Sequence, residues 1–193
     1  MKKTFVAILC YFVVVSAFGQ DAKRVDITNF EDELTWAYSG NNVVLSYVEY
    51  QPFFYPEIQP KEGEASLYVE FNNNGNGWSW AQINFPAGGV DATGMTELHM
   101  WIYVRPGSVP NSDGNYQINL QSGDVNFGTQ GTQTTGEWVE LVYPIDTLTS
   151  TTRISNVSYF GGFISPGAAD ASGIIYIDDM YFYRPAGVQE TET

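Results

Sequence analysis

The feature that most constrains the fold is a two-residue alternation of apolar and polar side chains in short runs, each ended by turn residues. Between the runs lie segments rich in Gly, Asn and Pro, such as 72–77, 86–89 and 105–107. Helical periodicity is almost absent. The pattern therefore predicts an all-β protein, a β-sandwich or jelly roll of two antiparallel sheets.

Nine strands are predicted, over residues 24–30, 43–47, 65–71, 79–85, 97–104, 115–121, 138–143, 156–164 and 173–183. Three of them have an apolar side that should face the core. The apolar residues are Ala81, Ile83 and Phe85; Leu98, Met100 and Ile102; and Tyr116, Ile118 and Leu120. Trp138, which leads an apolar run, is predicted to be a structural residue of the core.

The opposite side of the same three strands combines aromatic rings or an imidazole with side-chain amides. These residues are Trp80, Gln82 and Asn84; His99, Trp101 and Tyr103; and Gln117, Asn119 and Gln121. Aromatic rings stack on the apolar side of a sugar, and amides exchange hydrogen bonds with its hydroxyls. We predict a sugar-binding sheet face formed by these nine residues. The alternative is a two-layer protein with both faces covered.

The first twenty residues have the pattern of a secretory signal. Lys2 and Lys3 precede an apolar run over 5–15, and small residues follow. That run is shorter than the ~20 residues that cross a bilayer. Cys10, the only cysteine, lies inside this segment after Leu9, where a lipid-attachment site would have a small residue. We expect a secreted protein, periplasmic or extracellular, without a thiol in its mature form.

One domain is predicted over residues 21–186, followed by a polar tail over 187–193, because this length suffices for a single core. The chain has 8 basic and 22 acidic residues and a formal charge of −14. Such a charge repels nucleic acid and anionic membrane surfaces. The predicted partner is a polysaccharide or oligosaccharide, without nucleic acid or membrane insertion.

The sequence gives little support for catalysis. His99 is the only histidine, and no serine lies in a Gly-x-Ser-x-Gly motif, so hydrolase triads and histidine-rich zinc sites are not expected. The enzymatic alternative is a glycoside hydrolase with two carboxyl groups ~5–9 Å apart, a separation that a sequence does not give. We predict that the protein is not an enzyme.

Segments 29–32, 63–69, 98–104, 136–141 and 175–180, in this order, resemble the non-catalytic carbohydrate-binding modules of the galactose-binding-like jelly-roll type. The resemblance implies a structural calcium shared by the first and last strands, with Glu31 and Asp178 as ligands. Calcium takes 6–8 oxygen ligands, and Asp178 interrupts an apolar strand where an unpaired carboxylate would be costly. The alternative is a salt bridge or a hydrogen-bonded carboxylate. Alternation predicts that Asp178 and Asp179 lie on opposite faces.

Together these features predict a secreted, non-catalytic protein that binds a poly- or oligosaccharide through an aromatic and amide sheet face. The competing class is a secreted jelly-roll interaction or adhesion protein, whose aromatic face is covered by another domain or a protein partner.

Overall fold

The computed structural model describes residues 21–31, 37–50, 58–84, 89–123, 125–145 and 154–187; the predicted signal, Phe85 and residues 188–193 lie outside them. The described residues form eleven strands: β1 (Lys23–Thr28), β2 (Ala37–Asn41), β3 (Val43–Glu49), β4 (Ala65–Asn72), β5 (Ser79–Asn84), β6 (Glu97–Val104), β7 (Tyr116–Ser122), β8 (Val125–Thr132), β9 (Trp138–Pro144), β10 (Tyr159–Ile164) and β11 (Ser172–Arg184). Among these residues no helix is long and apolar enough to cross a membrane.

The strands pair into two antiparallel sheets. The six-stranded sheet has the order β3-β4-β11-β6-β9, and β1 pairs with β11 beside β4. The five-stranded sheet has the order β2-β5-β10-β7-β8. The predicted all-β jelly-roll sandwich is confirmed.

The main core lies between the two sheets. Leu98, Met100 and Ile102 of β6 face it, as do Ile118 and Leu120 of β7, and each is at most 5% exposed. The predicted core sides of these strands are therefore confirmed. Burying a side chain of this size stabilises the fold by about 1.5–3 kcal/mol.

Two strands escaped prediction, β2 and β8, and both are edge strands of the five-stranded sheet. Strand β8 lies between the strands predicted at 115–121 and 138–143 and continues to Thr132. Only Val125 and Phe127 of β8 bring large buried apolar side chains to the core, and Gly, Thr and Gln follow. An edge strand needs only one paired neighbour, so such a polar stretch can extend the sheet.

Strand β11 contains a bulge at Asp178 and Asp179. Its pairing with β6 shifts register after Asp178, and Asp179 has a left-handed backbone with φ 41°. Ile177 and Met180 both pack in the main core, whereas Asp178 bonds to the loop at Lys61 and Asp179 to Arg24. The prediction that alternation sends the two aspartates to opposite faces was wrong, because the bulge adds one residue between core positions.

Candidate functional site

The nine residues predicted to form one sugar-binding face lie on two different sheets. Strands β5 and β7 belong to the five-stranded sheet, where β10 separates them, while β6 belongs to the six-stranded sheet. Because the main core lies between the sheets, the non-core sides of β5 and β7 face away from the non-core side of β6. The structure therefore brings six of the nine residues together and places His99, Trp101 and Tyr103 on the opposite side of the molecule.

The outer face of the five-stranded sheet is uncharged. Within the five strands there is no Asp, Glu, His, Lys, Arg or Cys, although the chain is strongly acidic. Pairing places Trp80, Phe163 and Asn119 in one row across the sheet, and Gln82, Gly161 and Gln121 in the next. This face, defined by these two rows together with Asn84, Gln117 and Tyr159, is called the amide face below.

Trp80 is the centre of the aromatic part of the amide face. Its ring centroid lies 4.6 Å from that of Phe163, and the centroids of Trp78 and Phe163 lie 5.7 Å apart with the two rings nearly perpendicular. The benzo edge of the Trp80 indole reaches across to the neighbouring strand and covers Gly161, which is buried for that reason. Trp80 remains partly exposed.

The amides beside these rings differ in how far they are already bonded. Gln82 donates to the side chain of Asn84 at 2.8 Å, and Asn119 donates to Thr129 at 2.9 Å. The structure gives the side chains of Gln117 and Gln121 no hydrogen-bond partner among the described residues, and both are partly exposed. Of these four amides, Gln82 and Asn119 are thus already hydrogen-bonded within the sheet.

Sequence reasoning missed the contribution of β10 to the amide face. Tyr159, Gly161 and Phe163 alternate with Phe160, Gly162 and Ile164, so the period-two signal was present. The two glycines concealed it, because a residue without a side chain belongs to neither the apolar nor the polar pattern. Tyr159 also holds the β7–β8 turn, since its hydroxyl accepts a hydrogen bond from the Gly123 N–H at 2.7 Å.

The outer face of the six-stranded sheet is charged and bonded within itself. The ring nitrogens of His99 contact Glu140 at 2.9 Å and Glu97 at 3.0 Å, and the imidazole stacks on Tyr181 at 4.6 Å. Arg24 covers the Tyr181 ring at 3.7 Å. His99 is 8% exposed, so this histidine is a structural residue of a satisfied network.

The Glu140 carboxylate joins this network as an acceptor from the Tyr181 hydroxyl at 2.7 Å. Burial alone would raise the pKa of Glu140, but the hydrogen bonds from Tyr181 and His99, with the charge of Lys61 nearby, hold it below its ordinary value. Burial and the contact with Glu140 raise the pKa of Tyr181. The ionised carboxylate is therefore the form that the fold stabilises.

Trp101 and Tyr103 are covered by the chain segment that precedes β4. The Lys61 ammonium lies 3.8 Å from the centroid of the Trp101 ring. Tyr103 is 3% exposed and packs with Ile58 and Tyr176 in a second, smaller apolar cluster. An open stacking surface is not available at Tyr103, and one face of Trp101 is already occupied.

Trp138 lies at the margin of this second cluster, not in the main core. Its ring contacts Tyr103 at 5.8 Å, and its Nε1–H donates to the Gln59 carbonyl at 2.7 Å. The predicted structural role fits these contacts. The predicted location in the main core was wrong, because Trp138 lies on the outer side of the sheet and bonds to the segment before β4.

Glu31 and Asp178 both bond to the loop before β4. The Asp178 carboxylate, fully buried, accepts N–H bonds from Lys61 at 2.8 Å, Glu62 at 3.1 Å and Asp179 at 2.7 Å. Glu31 accepts from the N–H groups of Glu64 and Ala65 at 2.9 to 3.0 Å. Glu31, which follows β1, and Asp178 of β11 are thus linked through the same segment of chain.

The donor set around this pair tests whether calcium fits. Every hydrogen bond named above brings the positive end of a peptide N–H group to a carboxylate oxygen, the position that a cation would take. Burial raises the pKa of Asp178 to about 7, although the N–H bonds oppose that rise. No group of three or more His, Cys, Asp or Glu is placed to hold a metal ion within the described ranges. In this arrangement peptide N–H groups occupy the positions that a cation would take, and calcium binding stays a prediction.

Comparison with solved structures identifies the architecture. The chain is similar to a non-crystalline cellulose specific carbohydrate-binding module, CBM28 (TM-score 0.56, 16% identity, 85% of this chain and 97% of that one). It is also similar to CBM27-1 of Caldicellulosiruptor saccharolyticus, solved in complex with mannohexaose (TM-score 0.54, 14% identity, 82% and 96%). No family model matches the sequence, and no curated protein matches it.

A third similar structure is an enzyme, a Stig cyclase from Fischerella sp. TAU (TM-score 0.53, 14% identity, 85% of this chain and 100% of that one). These identities are low, so the likeness establishes a β-sandwich of the carbohydrate-binding-module type and nothing finer. Because both binding modules and a cyclase have this fold, function has to be argued from the site itself.

Proposed function

We propose that the protein binds an uncharged polysaccharide or oligosaccharide reversibly on the amide face, without chemistry. The observation that carries this proposal is the absence of any charged residue from the five strands described for that sheet, in a chain of net charge −14. Side-chain amides can both donate to and accept from sugar hydroxyls, and aromatic rings supply the apolar contact.

In the proposed mode, Trp80 stacks against the C–H side of one pyranose, and Phe163, which also packs against Trp78, supports the indole. Gln82 and Gln121 lie in the adjacent row, where their amides can reach hydroxyls at the rim of that sugar. One stacked ring contributes up to about 1.5 kcal/mol. A single sugar is therefore held weakly, and a glycan that spans several strands should bind better.

The same face argues against catalysis there. General acid–base chemistry and glycosidic cleavage use carboxylates or histidine, and the five described strands contain neither. A hydrolase or a cyclase would have to draw its proton donor and acceptor from outside these strands. Non-catalytic binding needs no such groups.

Secretion and calcium are further parts of the proposal. Secretion is supported by the basic, apolar and small-residue pattern of residues 1–20. Calcium at Glu31 and Asp178 is supported by the resemblance and by the shared loop, and it would have to displace the N–H bonds of that loop. A rise in melting temperature on adding calcium, lost after chelation, would support it; equal melting temperatures would refute it.

The decisive experiment measures retardation of the folded protein in native gels that contain soluble polysaccharides. Neutral glucans, mannans and xylans form one set, and uronic-acid polymers form the other. We expect retardation by at least one neutral polymer, little change with salt, and none by the acidic set. Trp80→Ala should weaken retardation about tenfold, which is ~1.4 kcal/mol.

Trp101→Ala is the matched control, because it removes the same ring from the six-stranded sheet. It should leave the affinity unchanged. Binding that survives Trp80→Ala but fails in Trp101→Ala would overturn the assignment of the site. A folded protein that none of the neutral polymers retards would favour the competing class, an interaction module with a protein over the amide face.

A further inference from the structure

We infer that Gly161 is the positioning residue of the amide face: its missing side chain is what allows the Trp80 indole to lie across β10 between Gln82 and Gln121. The inference rests on the proposed function for its effect on binding. The placement of the ring, however, can be tested without any ligand.

The geometry around Gly161 leaves no room for a methyl group. A Cβ built on Gly161 would lie 2.2 Å from Cη2 and 2.3 Å from Cζ2 of Trp80, and 3.3 Å from Cζ3. Two non-bonded carbon atoms do not lie so close together, so either the ring or the backbone would have to move. Because the indole is the far end of a side chain, the ring would move and the backbone of β10 would stay.

The position of Gly161 in the sheet explains why this matters. Gly161 pairs with Gln82 on one side and with Gln121 on the other. The row therefore has an amide side chain at each end and, at Gly161 in the middle, a gap without a side chain. Adjacent strands lie about 4.8 Å apart. The Trp80 ring, which starts one row away opposite Phe163, covers this gap. A sugar stacked on that ring has an amide beside it in both directions.

The next residue, Gly162, provides a comparison within the same strand. A Cβ on Gly162 would point into the main core and meet Ile118 at 3.4 Å and Leu120 at 3.5 Å, which are ordinary contacts. Both glycines are buried, but only Gly161 is buried by a residue of the amide face. The requirement for glycine at 161 is therefore tied to the ring and not to the core.

The test compares Gly161→Ala with Gly162→Ala. We expect Gly161→Ala to fold, to change the tryptophan fluorescence and near-ultraviolet circular dichroism, and to weaken binding to the neutral polysaccharide about tenfold. Gly162→Ala should leave the spectra and the affinity near those of the wild type. Unfolding curves of both variants show whether stability contributes.

A double-mutant cycle separates positioning from any other role. In a Trp80→Ala background, Gly161→Ala has no ring to displace, so the double variant should bind as weakly as Trp80→Ala alone. An additional loss in the double variant would overturn the inference, because Gly161 would then act on the ligand independently of Trp80.

The two proposals fail in different ways. If the wild type binds no neutral polysaccharide but Gly161→Ala still changes the tryptophan spectra, the proposed function falls and the positioning of Trp80 by Gly161 stands. If binding is found but Gly161→Ala changes neither the spectra nor the affinity, the inference falls and the proposed function stands.

Discussion

The two outer faces of the sandwich contain similar aromatic residues but differ in what lies against them. On the six-stranded sheet, Arg24 covers Tyr181, Lys61 covers Trp101, and His99 is bonded to two glutamates. On the five-stranded sheet, Trp80 remains partly exposed, and the side chains of Gln117 and Gln121 have no partner among the described residues. An aromatic face therefore suggests a binding site only where the chain's own cations and loops leave it open.

The largest expected effect is a loss of stability when a buried carboxylate of the six-stranded sheet is removed. Asp178→Ala removes the acceptor of three peptide N–H groups at a fully buried position. An unsatisfied buried donor costs ~1–3 kcal/mol. The Asp179 N–H is buried and those of Lys61 and Glu62 belong to exposed residues, so we expect a loss of about 3 kcal/mol in the free energy of unfolding. Urea unfolding measures it. Asn119→Ala on the amide face is the control and should change stability by less than about 1 kcal/mol. An equal loss in both variants would contradict the difference between the two faces.

The next effect concerns binding. Gln121→Ala removes one amide from the amide face, and one lost hydrogen bond of about 1 kcal/mol corresponds to roughly fivefold weaker affinity. Its melting temperature should stay near that of the wild type. Glu97→Ala, which removes a partner of His99, should do the reverse and lower stability at constant affinity. If both variants lost affinity and melting temperature together, the assignment of binding to the amide face and of stability to the His99 network would be contradicted.

A pH effect is expected from Glu140 on the six-stranded sheet. Because the pKa of Glu140 in the folded protein lies below its ordinary value, this carboxylate stabilises the fold above the ordinary carboxyl range. That contribution is lost as the pH falls through the lowered pKa. Glu140→Gln should therefore show a shallower loss of stability in acid. Denaturant titrations across this range measure it, and Glu49→Gln controls for removing one charge.

The smallest expected effect is the contact of Lys61 with Trp101. Lys61→Met keeps an apolar cover on the ring but removes the cation, and exposed cation–π contacts contribute ~0.5–1 kcal/mol. We expect a loss of stability within that range and no change in polysaccharide affinity. In a Trp101→Phe background the loss should shrink. A gain in affinity on Lys61→Met would show that Trp101 is a ligand-binding ring masked by Lys61.

Much of the fold could be predicted from alternation and turn residues. Strand β6 was predicted with its observed bounds, and seven others, including β4 and β7, start or end within two residues of them, while β10 starts three residues later than expected. Alternation states which residues share a side of a strand, because successive side chains point to opposite faces. It does not state which sheet a strand joins, since that depends on pairing with residues far away in sequence.

That limit accounts for the division of the predicted site. Trp80 and Trp101 have the same local pattern, an aromatic ring flanked by core positions. No residue near Trp101 in sequence predicts that Lys61 will cover its ring. The wrong prediction for Asp178 and Asp179 has a similar origin. The sequence nearby does not show the bulge, and one inserted residue reverses the face of every residue that follows it in the strand. Gly161 could have been found only by pairing β10 with β5, which brings the glycine beside Trp80.

The pairing of the first and last strands also determines how the molecule responds to force. Lys23 pairs with Arg184, at the ends of β1 and β11 where the chain enters and leaves the described sandwich. Tension applied through these two residues loads the hydrogen bonds of the pair one after another, as in unzipping, and not all at once as in shear. Strand β1 should therefore peel away at low force, resisted first by the contacts of Arg24 with Asp179 and Tyr181 and then by the bonds of Glu31 to Glu64 and Ala65.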